Sequence, residues 1–171
     1  MRIAATALVI VAAAIAASAQ AALKLVPRKY SEVEIALGKR SVIFDLDDSL
    51  IGSNGSLPGN PPHKYRTLFT AEKDGFFYLV ANVRSASPIS NPMAPCGGDS
   101  PQSILWIKAD KSLKKREVQS EIYASCSYNY YDSKLAISKI GLVAKYGGSQ
   151  KLELTYDNRS PEKGLVVTKK Q

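Results

Sequence analysis

The chain has one histidine and two cysteines in 171 residues. These scarcities exclude several kinds of chemistry. With His63 alone, no histidine-based zinc site can form, and a Ser-His-Asp triad would rest on a single residue of a Pro-rich loop, where an exposed histidine is expected. Gly-x-Ser-x-Gly is absent, so there is no nucleophile elbow. Gly-x-x-x-x-Gly-Lys is absent too, and Gly97-Gly98 cannot stand in for a phosphate loop. Cys96 and Cys126 are too far apart for a Cys-x-x-Cys redox motif. After residue 21 no stretch of useful length carries a helical period. There is also no internal repeat, coiled coil or low-complexity tail.

What the chain does have begins at its N-terminus. Arg2 is the only charge in the first 21 residues. An apolar run from Ile3 to Ala17 ends in Ala19-Gln20-Ala21, the layout of a secretory leader with a small-residue cleavage site. The run is too short and too rich in alanine to span a membrane as a helix. Cleavage leaves about 150 residues, the size of one domain, and the expectation is a signal peptide at 1–21 followed by a single secreted β domain at 22–171. The product is periplasmic or secreted. There Cys96 and Cys126 are expected to pair, because the compartment is oxidising. Closing a loop of about 30 residues contributes about 3–4 kcal/mol through chain entropy.

Period-two alternation dominates the rest. Val33, Ile35 and Leu37 alternate with polar or small residues, as do Val42, Phe44 and Leu46. The intervening Gly38-Lys39 suits a type II′ turn that places Ile35 opposite Val42 and Val33 opposite Phe44. Tyr30–Leu37 and Arg40–Asp48 therefore read as a hairpin. Leu50–Lys64 is a loop on its Gly, Pro and Asn content. A strand is expected at Tyr65–Ala71, then an Asp74-Gly75 turn. The next strand, Phe76–Ser85, is apolar on both faces, with Phe77, Leu79, Ala81 and Val83 on one and Phe76, Tyr78 and Val80 on the other. That pattern marks a central strand covered on two sides.

Ala86–Gln102 is a second long loop. Strands follow at Ser103–Asp110 and Arg116–Cys126, joined by a Lys111–Lys115 turn. On the latter strand Cys126 shares the inward face of Val118, Ser120 and Ile122. Leu135–Tyr146 and Gln150–Asn158 pair across Gly147-Gly148-Ser149, with Leu142 facing Leu154 and Ala144 facing Leu152. Gly164–Lys170 is an edge strand, and residues 22–30 form a short helix or an unpaired arm. About eight short strands with regular turn signals give an all-β fold, an antiparallel sandwich or barrel with one disulfide.

One segment points elsewhere. Val42-Ile43-Phe44-Asp45-Leu46-Asp47-Asp48-Ser49-Leu50 resembles the first motif of haloacid dehalogenase-type phosphatases, a strand ending in Asp-x-Asp-x-Thr, with Ser49 where Thr is usual. The resemblance implies Asp45 as nucleophile, Asp47 as acid/base and Mg²⁺ as counter-charge. It covers about nine residues; the Rossmann-like core and the later paired aspartates of that family have no counterpart in the chain. Glu32 is also expected opposite Asp45, where a hard cation could bridge them, although a solvated acidic face explains the pair without one. No cofactor or metal is assigned.

The formal net charge is +8, and +7 once Arg2 leaves with the leader. A basic balance suits an acidic partner. The cations form no arm, so nucleic acid is not expected. They cluster instead at Lys114, Lys115 and Arg116, near the tyrosines Tyr123, Tyr128, Tyr130 and Tyr131. The expectation is a non-enzymatic exported binding or accessory protein with no transmembrane span. Those residues would recognise an anionic envelope component or another protein. The alternatives are a secreted inhibitor that inserts its Pro-rich 86–95 loop into an enzyme, and a phosphatase at Asp45 and Asp47.

Overall fold

The computed structural model describes residues 22–29, 32–46, 60–86, 98, 100–130, 132–148 and 151–170. The leader at 1–21, Asp47, Cys96, Tyr131 and all of the 86–95 loop except Ala86 lie outside these residues.

Among the described residues eleven strands form three antiparallel sheets, each of neighbours in chain order. The first sheet is β1 (Leu23–Pro27), β2 (Glu32–Leu37) and β3 (Arg40–Asp45). The second is β4 (Asn60–Lys73), β5 (Phe76–Ala86), β6 (Gln102–Asp110) and β7 (Arg116–Ala124). The third holds β8 (Lys134–Ser138), β9 (Gly141–Tyr146), β10 (Lys151–Asp157) and β11 (Val166–Lys170), the last two joined through a 3₁₀ turn at Pro161–Lys163. Among the described residues there is no α-helix.

The two-faced pattern of Phe76–Ser85 is what the architecture is built on. Phe77, Leu79, Ala81 and Val83 of β5, with Leu105 and Ile107 of β6, pack against Val33, Ile35, Leu37 and Phe44 of the first sheet. The opposite faces, Tyr78, Val80, Ile104 and Trp106, pack against Leu142, Ala144, Leu154 and Tyr156 of the third. The central sheet is thus sandwiched between two cores.

Three polar contacts fix the third sheet on the second. The Trp106 indole N–H donates to the Pro161 carbonyl at 3.0 Å. The Gln119 side-chain oxygen accepts from the Leu165 amide at 2.8 Å. Lys73 pairs with Glu162 at 2.8 Å. Gly164 takes φ +67°, and a Cβ there would collide with the Gln119 carboxamide, so the approach needs glycine.

Local turn chemistry explains most connections. Ile35 faces Val42 and Val33 faces Phe44 across Gly38-Lys39, in the expected register. Asp74 and Gly75 both have positive φ, 53° and 77°, as a type I′ hairpin turn requires. β11 lies at the edge of its sheet, as Lys169 and Lys170 imply.

Five expectations are corrected. Residues 23–27 are neither helix nor arm: β1 pairs with β2, Leu23 against Leu37 and Leu25 against Ile35, and so buries Leu23. β4 begins at Asn60, not Tyr65; Pro61 and Pro62 are tolerated because β4 is an edge strand and they fall where the β4–β5 ladder is interrupted, between Asn60 and Lys64. Leu135–Tyr146 is two strands, not one. The Ser138 hydroxyl accepts from the Ile140 amide and donates to the Gly141 carbonyl, closing a turn inside the run. Across the Gly147 loop Leu154 faces Ala144 and Tyr156 faces Leu142, two residues from the expected register. A slip of two keeps every side chain on its face, so hydrophobic matching cannot detect it. Finally, a register shift between Gln102 and Ser103 leaves Tyr123 without a direct partner and reverses the parity of β7 beyond it. Ser125 is buried in consequence, and Cys126 is half-buried in a turn instead of inward on a strand.

Two-sided packing predicts that Ile104→Ala and Leu105→Ala, adjacent residues on opposite faces of β6, each cost about 2–5 kcal/mol. Urea unfolding of the two variants checks this. A change within about 0.5 kcal/mol for either one, the size of a surface substitution, would show that its face is not a core.

Candidate functional site

The residues singled out from the sequence are divided by the fold. Arg116 opens β7 and Ala124 closes it, a separation of about 27 Å at the rise of an extended strand. The basic turn lies before the first and the tyrosines lie at and beyond the second. They do not meet on one surface.

At the basic end the Asp110 carboxylate accepts from the Ser112 hydroxyl and from the Lys114 and Lys115 amides. Those bonds, led by Ser112, hold its carboxyl below the usual range. Lys114 and Lys115 point to solvent. Arg116 is half-buried, stacked over Phe44 at 4.9 Å and bonded to the Leu113 carbonyl, so it fastens the first sheet to the turn. Lys108 sits over Phe76 and pairs with Glu117 at 2.6 Å.

At the other end the tyrosines act mainly as packing groups. Tyr130 meets Tyr146 edge-on at 5.0 Å, and Tyr128 stacks on Tyr130 at 6.3 Å. Of the three, Tyr128 is the open one, 45 % exposed. Tyr123 is 4 % exposed. Its hydroxyl donates to the Gln102 side-chain oxygen at 2.9 Å and accepts from the Asn82 amide at 3.1 Å.

That last network leads to a site sequence reasoning missed. The even face of β5 runs Tyr78, Val80, Asn82, Arg84, and its burial fades along the row from buried to exposed. The odd face stays buried to Ser85. The third sheet therefore covers only part of the even face, and the uncovered end is basic. Lys64 stands directly opposite Arg84, and Arg66 opposite Asn82. All three cations are exposed and lack an ion-pair partner among the described residues. Asn82, Gln102 and Tyr123 form the polar floor beside them, and the buried Asn82 side-chain oxygen has no hydrogen-bond partner among the described residues. A cavity of about 280 Å³ opens next to Lys64, Arg84, Ser85 and Ser100. Lys64, Arg66 and Arg84 fall two and eighteen residues apart in sequence, and only the β4–β5 register brings them together.

His63 corrects another expectation. It is 8 % exposed and lies on β4, with Nδ1 at 2.7 Å from the Ser85 hydroxyl. The pair is buried and links β4 to β5.

The aspartate motif also has a definite setting. Asp45 ends β3, an edge strand that pairs antiparallel with β2, and Glu32 is directly opposite it as the hairpin register required. The family that the motif resembles places the motif on a parallel strand between helices. Among the described residues no group of His, Cys, Asp or Glu is arranged to hold a metal ion.

No protein-family profile matches the chain, and neither a curated protein nor a solved structure is significantly similar to it.

Burial raises the pKa of the Tyr78, Tyr123, Tyr130, Tyr146 and Tyr156 hydroxyls. In the unfolded chain these groups ionise near pH 10. Each therefore stabilises the fold fully below that pH, and the contribution drains away as pH rises from about 10 through the folded values. Tyrosinate absorbance of the native protein is expected to lag that of the urea-unfolded chain, and the urea midpoint to fall above pH 10. Coincident titrations would contradict the burial of these hydroxyls.

Proposed function

We propose that this is an exported, non-enzymatic β protein that binds an anionic component of the cell envelope at the Lys64–Arg84 end of β4 and β5. One observation carries the reading. Two cations stand directly opposite on paired strands, with a third, Arg66, on the same face. Like charges in that position disfavour the sheet by a few tenths of a kcal/mol or more. An anion between them removes the repulsion, and Arg adds paired donors shaped for phosphate or carboxylate. The polar floor of Asn82, Gln102 and Tyr123 offers hydrogen bonds to a hydroxylated ligand. Export is supported by the layout of residues 1–21. The absence of catalysis is supported by the antiparallel edge-strand setting of Asp45, which differs from the parallel setting that the resemblance implies, and by the lack among the described residues of an acidic group arranged to hold a metal ion.

Binding to lipopolysaccharide and to an acidic glycan, at two salt concentrations, tests the site. Exposed charge pairs contribute about 0–1 kcal/mol each, so affinity is expected to be modest, multivalent and lower in salt. Lys64→Glu with Arg84→Glu should lower it at least tenfold, and Lys114→Glu with Lys115→Glu by much less. The reverse order would move the site to the Lys111–Lys115 turn. Indifference to both pairs and to salt would remove the anionic ligand altogether and favour the inhibitor reading.

The export reading carries a second expectation, a Cys96–Cys126 bond. Among the described residues no cysteine is free, and Cys126 sits in a turn that a crosslink would pin to the Ala86–Gln102 segment. Thiol labelling of the unfolded, unreduced protein is expected to find none, and Cys126→Ser to cost about 2–5 kcal/mol. Two labelled thiols in protein from an oxidising compartment would exclude the bond.

A further inference from the structure

We infer that the outer face of the third sheet docks on the surface of an anionic lipid bilayer. The inward residues of β9 and β10 are Leu142, Ala144, Leu154 and Tyr156. Alternation turns their neighbours outward, and the strand registers set these in rows across the sheet. Ala136, Val143, Thr155 and Val166 make one row. Lys134, Lys145, Glu153 and Thr168 make the next, and Lys151 beside Lys170 the one after. An apolar strip thus runs beside a basic one on a single face.

The apolar strip is open. A shallow depression of about 400 Å³ lies over Ala136, Val143, Thr155 and Val166; Ile140 and Lys163 also line it, as does Asp157, whose carboxylate is paired with Arg159. Ile140, in the β8–β9 turn, is 53 % exposed. Of seven large hydrophobic residues exposed among the described ones, Val166 lies in this strip and Ile140 in the adjoining turn, whereas Ile137 and Val167, opposite Leu142 and Leu154, belong to the inward face.

The basic strip is unbalanced. Glu153 is its one carboxylate, and Lys170 holds it at 2.7 Å. Lys134, Lys145 and Lys151 are exposed and have no ion-pair partner among the described residues. Long lysine stems lay their ammonium groups beyond the apolar atoms they flank. Isoleucine and valine side chains at one level with amines at the level above match the boundary between acyl chains and phosphates. Attachment of this kind is peripheral: among the described residues no helix is long and apolar enough to cross a membrane. The face belongs to a different sheet from Lys64, Arg66 and Arg84, so the inference is independent of the proposed anion site.

Cosedimentation of the purified protein with two vesicle types tests it. One is an equal mixture of phosphatidylglycerol and phosphatidylcholine, the other phosphatidylcholine alone. Partition is expected onto the anionic vesicles only, and is expected to fall with salt. Each lysine near such a surface contributes about fivefold, so Lys134→Gln, Lys145→Gln and Lys151→Gln together should lower partition about a hundredfold. These side chains are exposed, and an unchanged circular dichroism spectrum confirms that the variant folds. Ile140→Ser with Val166→Ser should weaken binding while leaving its salt dependence in place. The control is Lys24→Gln, Lys39→Gln and Lys111→Gln, three exposed lysines that belong neither to this face nor to the proposed anion site; it removes the same charge elsewhere and should retain partition within about twofold. Equal loss in the two charge variants would reduce the effect to net charge and overturn the docking face. Absence of partition, or equal partition onto both vesicles, would overturn it as well.

Discussion

Burial of both faces of β5 and β6 is the constraint on which the other two sheets depend. Leu79, Ala81, Leu105 and Ile107 on one side, and Val80, Ile104 and Trp106 on the other, are at most 1 % exposed. A four-stranded sheet with two such faces cannot stand in water, because each large side chain left uncovered forgoes about 1.5–3 kcal/mol. The chain meets the requirement in order. The strands before β4 form one cover and those after β7 form the other. Among the described residues all strand pairing is between neighbours in sequence, so the long-range work is left to the two cores and to a few polar anchors.

Those anchors decide how the third sheet sits. Trp106 buries its ring in the second core while its N–H reaches the Pro161 carbonyl, which satisfies a donor that would otherwise be lost in an apolar layer. Gln119 does the same for the Leu165 amide. The covering sheet is thereby held over the Tyr78 and Val80 end of β5 and stops short of Asn82. The uncovered end must be polar, and it is occupied by Asn82, Arg84 and their partners across β4. The candidate anion site is in this sense the remainder of an incomplete layer. The outer face of the covering sheet has a similar origin: its inward side satisfies the core, and nothing about the core specifies what the outward lysines and valines meet.

The Asp45 motif shows how a local pattern and its setting can diverge. Strand, acidic residues and hydroxyl stand in the right order, yet the strand is the outer member of a meander. Phosphoryl transfer needs a nucleophile, an acid and a cation brought together from several loops. Asp45 stands instead on the edge strand of an antiparallel hairpin, opposite Glu32.

Much of the fold was legible because local physics decided it. Gly38-Lys39 set a register in which Val33 and Ile35 met Phe44 and Val42, and Asp74-Gly75 set the β4–β5 turn. Alternation on both faces of Phe76–Ser85 announced a covered strand. The failures have equally local causes. A two-residue slip across the Gly147 loop preserves every facing, so pattern could not choose it. The Ser138 hydroxyl closes a turn that has no proline and no second glycine to mark it. The shift at Tyr123 inserts one residue and inverts the strand after it.

The sequence by itself determined the all-β class, the central strand and the two buried faces of that strand, because period-two burial is written residue by residue. Only the tertiary structure decided which charges are neighbours. Lys64 and Arg84 become a pair through the β4–β5 register, and Lys134, Lys145 and Lys151 become a strip through the pairing of three strands. Charge clusters in a sheet are made across strands, at distances that the chain order does not encode.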